Sequence, residues 1–251
     1  TLNPSSAASD VYKRQIYFSS RVERQEQVFK GDSSTFKQVF EQFTQIKENP
    51  LIRNFIFYAF IWTCLSTALW FFQLEIINNF TNDSAVKTQI FGRADSMVPI
   101  ITLVTQLLLT SYFLRSKYLG IRFVLTMYGV LFTVAFFAVS GYFSEYLLSA
   151  SGITLFLILQ GTMRPFEYGL NKPAREAVFT TLSTKEKYKS TVFIDTFTNR
   201  FGDATGGLLF NSLLSFGLLL YAAPLAIIPL AIFLINLGWS ISKDIDPVNS
   251  K

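Results

Sequence analysis

Six long apolar stretches run through the chain, and polar connections separate them. Each is close to the ~20 residues that an α-helix needs to cross the hydrocarbon core of a bilayer. The predicted transmembrane helices are about residues 51–73, 95–115, 120–143, 150–170, 190–214 and 217–240. The fourth and fifth contain charged residues, so they fit a bilayer only if those charges face inward. The pattern predicts an all-α membrane protein with a six-helix transmembrane domain at 51–243.

The segment before the first span is polar, and we predict that residues 16–50 are cytoplasmic. Within it, residues 32–50 repeat apolar side chains at helical spacing. The apolar positions are Phe36, Val39, Phe40, Phe43 and Ile46. This pattern predicts a short amphipathic helix, which either lies along the membrane interface or packs on neighbouring protein.

Both ends of the sequence are polar. The chain starts at Thr1 rather than at Met, which predicts a fragment, and residues 1–15 resemble a translated linker or adapter. A native polar loop is the alternative for residues 1–15, and the fold prediction does not depend on the choice. We expect residues 244–251 to form a short, solvated cytoplasmic tail.

Composition favours a membrane protein and argues against several kinds of chemistry. Of all residues, 50% are hydrophobic and only 16% are charged, whereas soluble domains carry about 25% charged residues. The chain has no His, and its one Cys, Cys64, lies in the first predicted span. These counts argue against His-based catalysis, zinc sites and disulfide frameworks. The sequence also lacks a phosphate loop and a GxGxxG fingerprint, so we predict that the chain is not an enzyme and holds no cofactor.

Lys and Arg are concentrated in alternate connections: the N-terminal segment, the link at 115–122 and the link at 172–189. Cytoplasmic loops of membrane proteins carry an excess of these residues. Six spans with both ends cytoplasmic satisfy this rule. The net charge of +5 then follows from topology, and no nucleic-acid partner is expected.

The fourth span places polar residues on one helical face. Gln160, Arg164, Glu167 and Asn171 follow one another at offsets of four, three and four, which superimposes them on that face. Pro165 removes a backbone hydrogen bond and predicts a kink or break beside Arg164. The functional interpretation is a polar cavity. The alternatives are an Arg–Glu pair that only neutralises itself and a span that ends near Pro165.

The fifth span carries a second polar stripe. Asp195, Asn199 and Asp203 recur every four residues, and Arg200 lies one turn from Asp203. Charges in hydrocarbon-length segments persist where they pair or line a polar cavity. We predict a charge network in which Arg164 and Arg200 balance some of the carboxylates of both spans. The alternative for Asp195 is a place at the cytoplasmic rim, where it only orients the basic loop.

Two local signals accompany this stripe. Gly202, Gly206 and Gly207 predict that a neighbouring helix backbone approaches closely. Ser183 followed three residues later by Glu186 is a capping-box pattern, which predicts a helix start that leads into the fifth span.

The run from Pro173 to Asp203 resembles a pattern of the ATP/ADP translocase-like family, a branch of the major facilitator fold. The matching segments are Pro173–Thr180, Glu186–Asp195 and Arg200–Asp203. Weaker similarity extends over about residues 49–243. The resemblance implies twelve helices in two six-helix halves, alternating access and a central site. This chain would be the C-terminal half of such a transporter.

The resemblance implies a secondary active transporter in a bacterial inner membrane. Its substrate would be a small anionic solute, and ATP/ADP-like nucleotide exchange is the first activity to consider. Its partners would be the substrate, the bilayer and a missing N-terminal six-helix half. The substrate-binding or charge-network residues would be Arg164, Glu167, Asp195, Asn199, Arg200 and Asp203. The alternative is a non-transporting membrane module, such as a sensor or scaffold, whose intramembrane charges are structural.

Overall fold

The structure is a computed structural model that describes residues 49–110, 112–113, 117–144 and 152–249. Throughout this part of the chain the secondary structure is helical, without a strand. The α-helices are α1 (Pro50–Phe80), α2 (Ser84–Val104), α3 (Lys117–Phe143), α4 (Gly152–Phe166), α5 (Lys172–Phe179), α6 (Thr184–Phe193), α7 (Asn199–Ser215) and α8 (Ala222–Asn249).

Some predictions fall on residues outside the described part. The proposed linker at 1–15 lies there, and so does the predicted amphipathic helix at 32–50, apart from its last two residues. Those two residues start α1. The Asn49 side chain accepts a hydrogen bond from the backbone N–H of Leu51 at 3.1 Å, and Pro50 occupies the first turn, where its missing N–H is not needed.

Three helices are long and apolar enough to cross a membrane: Pro50–Phe80, Gly120–Phe143 and Ala222–Lys243. They coincide with the first, third and sixth predicted spans, and α8 continues as a helix to Asn249. The other predicted spans are helical but consist of shorter pieces. The described residues therefore form a helical protein with three membrane-compatible helices.

The shorter pieces are joined by three π-helical segments. Thr105–Thr110 continues α2, Glu167–Asn171 joins α4 to α5, and Ile194–Thr198 joins α6 to α7. Short π segments inside α-helices are rare and frequently mark functional sites. Of the kink or break predicted at Pro165, a break does not occur: α4 continues through Pro165 to Phe166, and the helix type changes to π at Glu167.

The capping-box prediction is confirmed. The Ser183 side chain accepts a hydrogen bond from the backbone N–H of Glu186, while the Glu186 carboxylate accepts one from the backbone N–H of Ser183 at 3.1 Å. Both exposed donors at this helix start are thereby satisfied. The start is followed by α6, the π segment and α7 without interruption.

α1 lies at the centre of the packing, with α4, α7 and α8 against it. Its inward positions Leu65, Ala68, Phe72 and Ile76 are completely buried. The close approach predicted from the glycines is confirmed for two of them. A Cβ added at Gly202 would lie 2.8 Å from the Cβ of Thr63.

A Cβ added at Gly206 would lie 2.5 Å from the Cys64 carbonyl oxygen. Such a separation is shorter than van der Waals contact, so only glycine lets α7 lie this close to α1. Gly207 lies instead against the ring of Phe71, with 3.3 Å between the added Cβ and the nearest ring atom.

Candidate polar cavities between α1 and the π segments

Two cavities lie between α1 and the helices that contain the fourth and fifth spans. Cavity A has a volume of about 270 Å³, and cavity B has a volume of about 310 Å³. The polar and aromatic lining of cavity A includes Phe55, Tyr58, Trp62, Glu167, Asn171, Lys172, Arg175, Asp195 and Asn199. That of cavity B includes Ser66, Thr67, Trp70, Gln73, Gln160, Arg164, Glu167 and Tyr168.

The predicted stripe of the fourth span lines both cavities. Gln160 and Arg164 face cavity B, Asn171 faces cavity A, and Glu167 lines both. The π segment begins at Glu167, so the local helix type changes at the residue where the two cavities meet. The shared face predicted from the spacing is thus the wall of both cavities.

Cavity A contains an ion pair between α5 and the π segment that precedes α7. The Arg175 guanidinium donates to an Asp195 carboxylate oxygen at 2.7 Å, and a second Arg175 nitrogen lies 3.7 Å from a Glu176 carboxylate oxygen. The Arg175 side chain is 19% exposed, which strengthens the interaction relative to a surface pair. The Lys172 ammonium lies 4.1 Å from the centre of the Tyr168 ring.

Cavity B contains a different ion pair. Arg164 donates to an Asp95 carboxylate oxygen in α2 at 2.6 Å, and its guanidinium lies 5.5 Å from the centre of the Trp70 ring. Deeper in the bundle, the buried Gln160 side chain donates to the Gln73 side-chain oxygen at 2.6 Å. Polar groups from α1, from α4 and from the π segment that starts at Glu167 therefore line cavity B, while Asp95 of α2 is linked to it only through Arg164.

The stripe of the fifth span faces α1. Thr67 donates to an Asp203 carboxylate oxygen at 2.8 Å, and the Thr63 hydroxyl lies 3.2 Å from the Asn199 side-chain oxygen. The Asn199 side-chain N–H donates to Asp195 at 3.5 Å. Hydroxyl and amide groups thus connect the polar side chains of this stripe to α1.

Arg200 does not belong to these cavities. Its side chain is 82% exposed, and its closest carboxylate is Asp203 at 3.8 Å. The expected network between the two spans therefore differs from the observed one. Arg164 pairs with Asp95 of α2, Asp195 pairs with Arg175, and Arg200 points away from the cavity walls.

Glu167 is the carboxylate without a partner in this arrangement. Over the described ranges, no hydrogen bond or ion pair of its side chain is found, although it is only partly exposed. Its nearest charged neighbours include Arg164, Lys172, Arg175 and Asp203. A carboxylate without a partner inside an apolar helical bundle is energetically costly, which makes Glu167 a candidate functional position.

Sequence reasoning missed several cavity residues for identifiable reasons. The basic connection at 172–189 fits topology and attraction of an anion equally well, and nothing in the sequence distinguishes Lys172 and Arg175 within it. Asp95 was overlooked because it starts the second predicted span. Thr63 and Thr67 carried a usable signal, since they are four residues apart in an apolar span and therefore share one face of α1.

The polar and charged side chains that line the two cavities can bind a solute and compensate its charge. Among the described residues, no group of three or more His, Cys, Asp or Glu side chains is placed to hold a metal ion. Comparison of the chain with models of known protein families, with curated proteins and with solved structures found no match. The geometry of the two cavities is therefore the basis of the functional argument.

Proposed function

We propose that this chain is one six-helix half of a secondary active transporter of the major facilitator type, and that it moves a small anionic solute by alternating access. The observation that carries the proposal is the pair of adjoining polar cavities inside an apolar helical bundle. Buried ionisable groups that line cavities in membrane proteins mark solute or ion pathways. A nucleotide is the first substrate to test, because the resemblance implies ATP/ADP-like exchange.

The cations of the cavity walls support an anionic substrate. Arg164 lines cavity B, while Lys172 and Arg175 line cavity A. Guanidinium groups bind phosphate and carboxylate through paired hydrogen bonds. Asp95 and Asp195 hold the two arginines in place, so the sites are oriented before substrate arrives.

The proposal makes all six helical regions membrane spans. The pieces of α2, of α4, and of α6 with α7 then cross the bilayer beside the three long apolar helices, with their charges turned toward the cavities. Irregular helix is tolerated at membrane depth where it lines a cavity, which fits the π segments at Glu167–Asn171 and Ile194–Thr198. Both ends would be cytoplasmic, in a bacterial inner membrane.

The second half of the transporter completes the site in this proposal. Alternating access would come from rocking of this half against an N-terminal six-helix half, with substrate bound between them. Cavities A and B would then be this half's contribution to a larger central site.

One observation favours a different class of function, a non-transporting membrane module such as a sensor or scaffold. Arg164 and Arg175 each have a carboxylate partner within 2.7 Å, as expected for charges that only neutralise each other. The two functions differ in what happens when a pair is broken. A scaffold loses stability alone, whereas a transporter loses exchange in protein that still folds.

The test is counterflow uptake of labelled ATP, ADP and phosphate into liposomes that hold the full-length protein containing this chain. We expect exchange by wild-type protein and loss of at least tenfold in Arg164→Ala and Arg175→Ala. Arg200→Ala is the matched control, because its side chain is 82% exposed, and we expect it to retain exchange. Wild-type rates in both cavity variants would refute the site, and a wild-type protein inactive with every anion would favour the scaffold.

A further inference from the structure

Glu167 occupies a position that the proposed function does not use. It is the residue common to the walls of cavities A and B, and it begins the π segment between α4 and α5. Two arginines lie on either side of it along the chain, but each is held by another carboxylate, Asp95 or Asp195. Glu167 therefore remains available for a mobile ion.

The groups that act on Glu167 come from most elements packed around it. They are Arg164 of α4, Lys172 and Arg175 of α5, Asp203 of α7 and Tyr128 of α3, and Tyr58 and Asp195 line cavity A together with Glu167. The positive and negative charges of these residues nearly balance. No single cation is committed to Glu167, so its charge depends on what else occupies the cavities.

The charge of cavity A is balanced only while Glu167 is ionised. Its four ionisable side chains with formal charge are Lys172, Arg175, Glu167 and Asp195. Two positive and two negative charges give a sum of zero. A proton on Glu167 leaves one positive charge, and an uncompensated charge in a low-dielectric site strongly favours an ion of opposite sign.

The wall of cavity A also holds hydrogen-bond donors that lack acceptors. The indole N–H of Trp62 and the Nε–H of Arg175 are buried and have no hydrogen-bond partner within the described part of the chain. Buried donors without acceptors are costly. With the Lys172 ammonium, they form a set of donors suited to the oxygens of a carboxylate or phosphate group.

We propose that Glu167 is a proton-binding site whose protonation creates the anion site in cavity A, so that transport is coupled to protons. This inference rests on the proposed transport function and adds the coupling ion to it. On the open side a hydronium ion gives up a proton, its O–H bond breaks to leave water, and a new O–H bond forms on the Glu167 carboxylate. The anion then binds at Lys172, Arg175 and Trp62. On the other side the anion leaves, and the Glu167 O–H bond breaks as water takes the proton.

The experiment uses the full-length protein in liposomes with the membrane potential clamped at zero. Labelled phosphate and labelled ADP are tested in two assays: counterflow without a pH gradient, and uptake driven by an inward proton gradient. For co-transport of one proton with one monovalent charge, each pH unit supports up to about tenfold accumulation. We expect wild-type protein to show counterflow and gradient-driven accumulation that a protonophore abolishes.

The Glu167→Gln variant should give different results in the counterflow assay and in the gradient-driven assay. The amide keeps the shape of a protonated carboxyl and leaves cavity A with a permanent positive charge, so we expect it to reduce gradient-driven accumulation far more than counterflow. Accumulation should fall to the equilibrium ratio. Glu75→Gln is the matched control, because this carboxylate lies on α1 and lines neither cavity; we expect it to behave as wild type.

A second measurement needs no variant. When ADP or phosphate is added to weakly buffered wild-type protein in detergent, a pH indicator should report uptake of about one proton for each anion bound. No proton uptake, or accumulation that survives in Glu167→Gln, would overturn the inference. Counterflow by wild type without gradient-driven accumulation would overturn it while leaving the proposed transporter intact, and absence of both activities would remove both proposals.

Discussion

Two pairs of helices in this bundle pack closely through glycine residues, but the two interfaces differ in the chemistry of the neighbouring side chains. Between α3 and α8, a Cβ added at Gly238 would lie 2.8 Å from the backbone carbon of Leu125. Between α1 and α7, a Cβ added at Gly206 would lie 2.9 Å from the Cβ of Thr67. Small residues permit both close contacts. In the part of the chain that the structure describes, side-chain hydrogen bonds cross the second interface, whereas Arg122 of α3 lies over the ring of Trp239 of α8 at the first.

The chemistry beside the glycines distinguishes the two interfaces. Around Gly238, buried neighbours such as Leu125 and Leu234 are apolar. Beside Gly206, the Thr67–Asp203 hydrogen bond spans the interface at 2.8 Å. Close approach therefore stabilises the bundle in the first case, and in the second it also fixes polar groups next to the cavities.

The largest expected effect on stability comes from the apolar interface. Leu125 is completely buried, and Leu125→Ala should destabilise the protein by about 3 kcal/mol because a cavity replaces its packing. Thermal unfolding in detergent measures this loss. Transport for each folded molecule should stay at the wild-type level, and a fall in that quantity would contradict the separation of the two interfaces.

Replacement of the contact glycines tests the comparison directly. Gly206→Ala and Gly238→Ala should each cost about 1–3 kcal/mol of stability, because the helices must move apart. Only Gly206→Ala should also reduce counterflow, since it displaces α7 and its Asp203 from α1.

The control for this pair of variants is Gly92→Ala in α2. A Cβ added at Gly92 meets no other atom within 4 Å, so alanine should stabilise the helix by about 0.5–1 kcal/mol. Equal losses of counterflow in Gly206→Ala and Gly238→Ala would show that both interfaces serve transport.

The smallest effect concerns two threonines with different partners. Thr67 donates to Asp203 on another helix, whereas Thr133 donates to the Gly129 carbonyl oxygen of its own helix at 2.8 Å. Thr67→Val should cost about 0.5–1.5 kcal/mol, because the Asp203 carboxylate loses a donor but is 46% exposed and can turn to water. Thr133→Val should change stability by less than about 0.5 kcal/mol. Thermal unfolding of both variants decides this, and equal effects would mean that the Thr67–Asp203 bond contributes nothing.

Much of the architecture was predictable from local patterns. The helical class, the three long apolar helices, the start at Ser183 and the close contacts of Gly202 and Gly206 all follow from spacing or composition within short windows. Part of the first polar stripe was also predictable: Gln160, Arg164 and Glu167 all line cavity B, because an α-helix places residues three and four apart above one another. Asn171, at the end of the π segment, lines cavity A instead.

The partners of those residues were decided by the tertiary structure. The sequence determines which side chains lie together on one helix, since helical rotation is a local property. It does not determine which neighbouring helix that face meets, since this depends on how all the helices pack. For that reason only the structure pairs Arg164 with Asp95, holds Asp195 against Arg175, turns Arg200 outward and leaves Glu167 between two cavities.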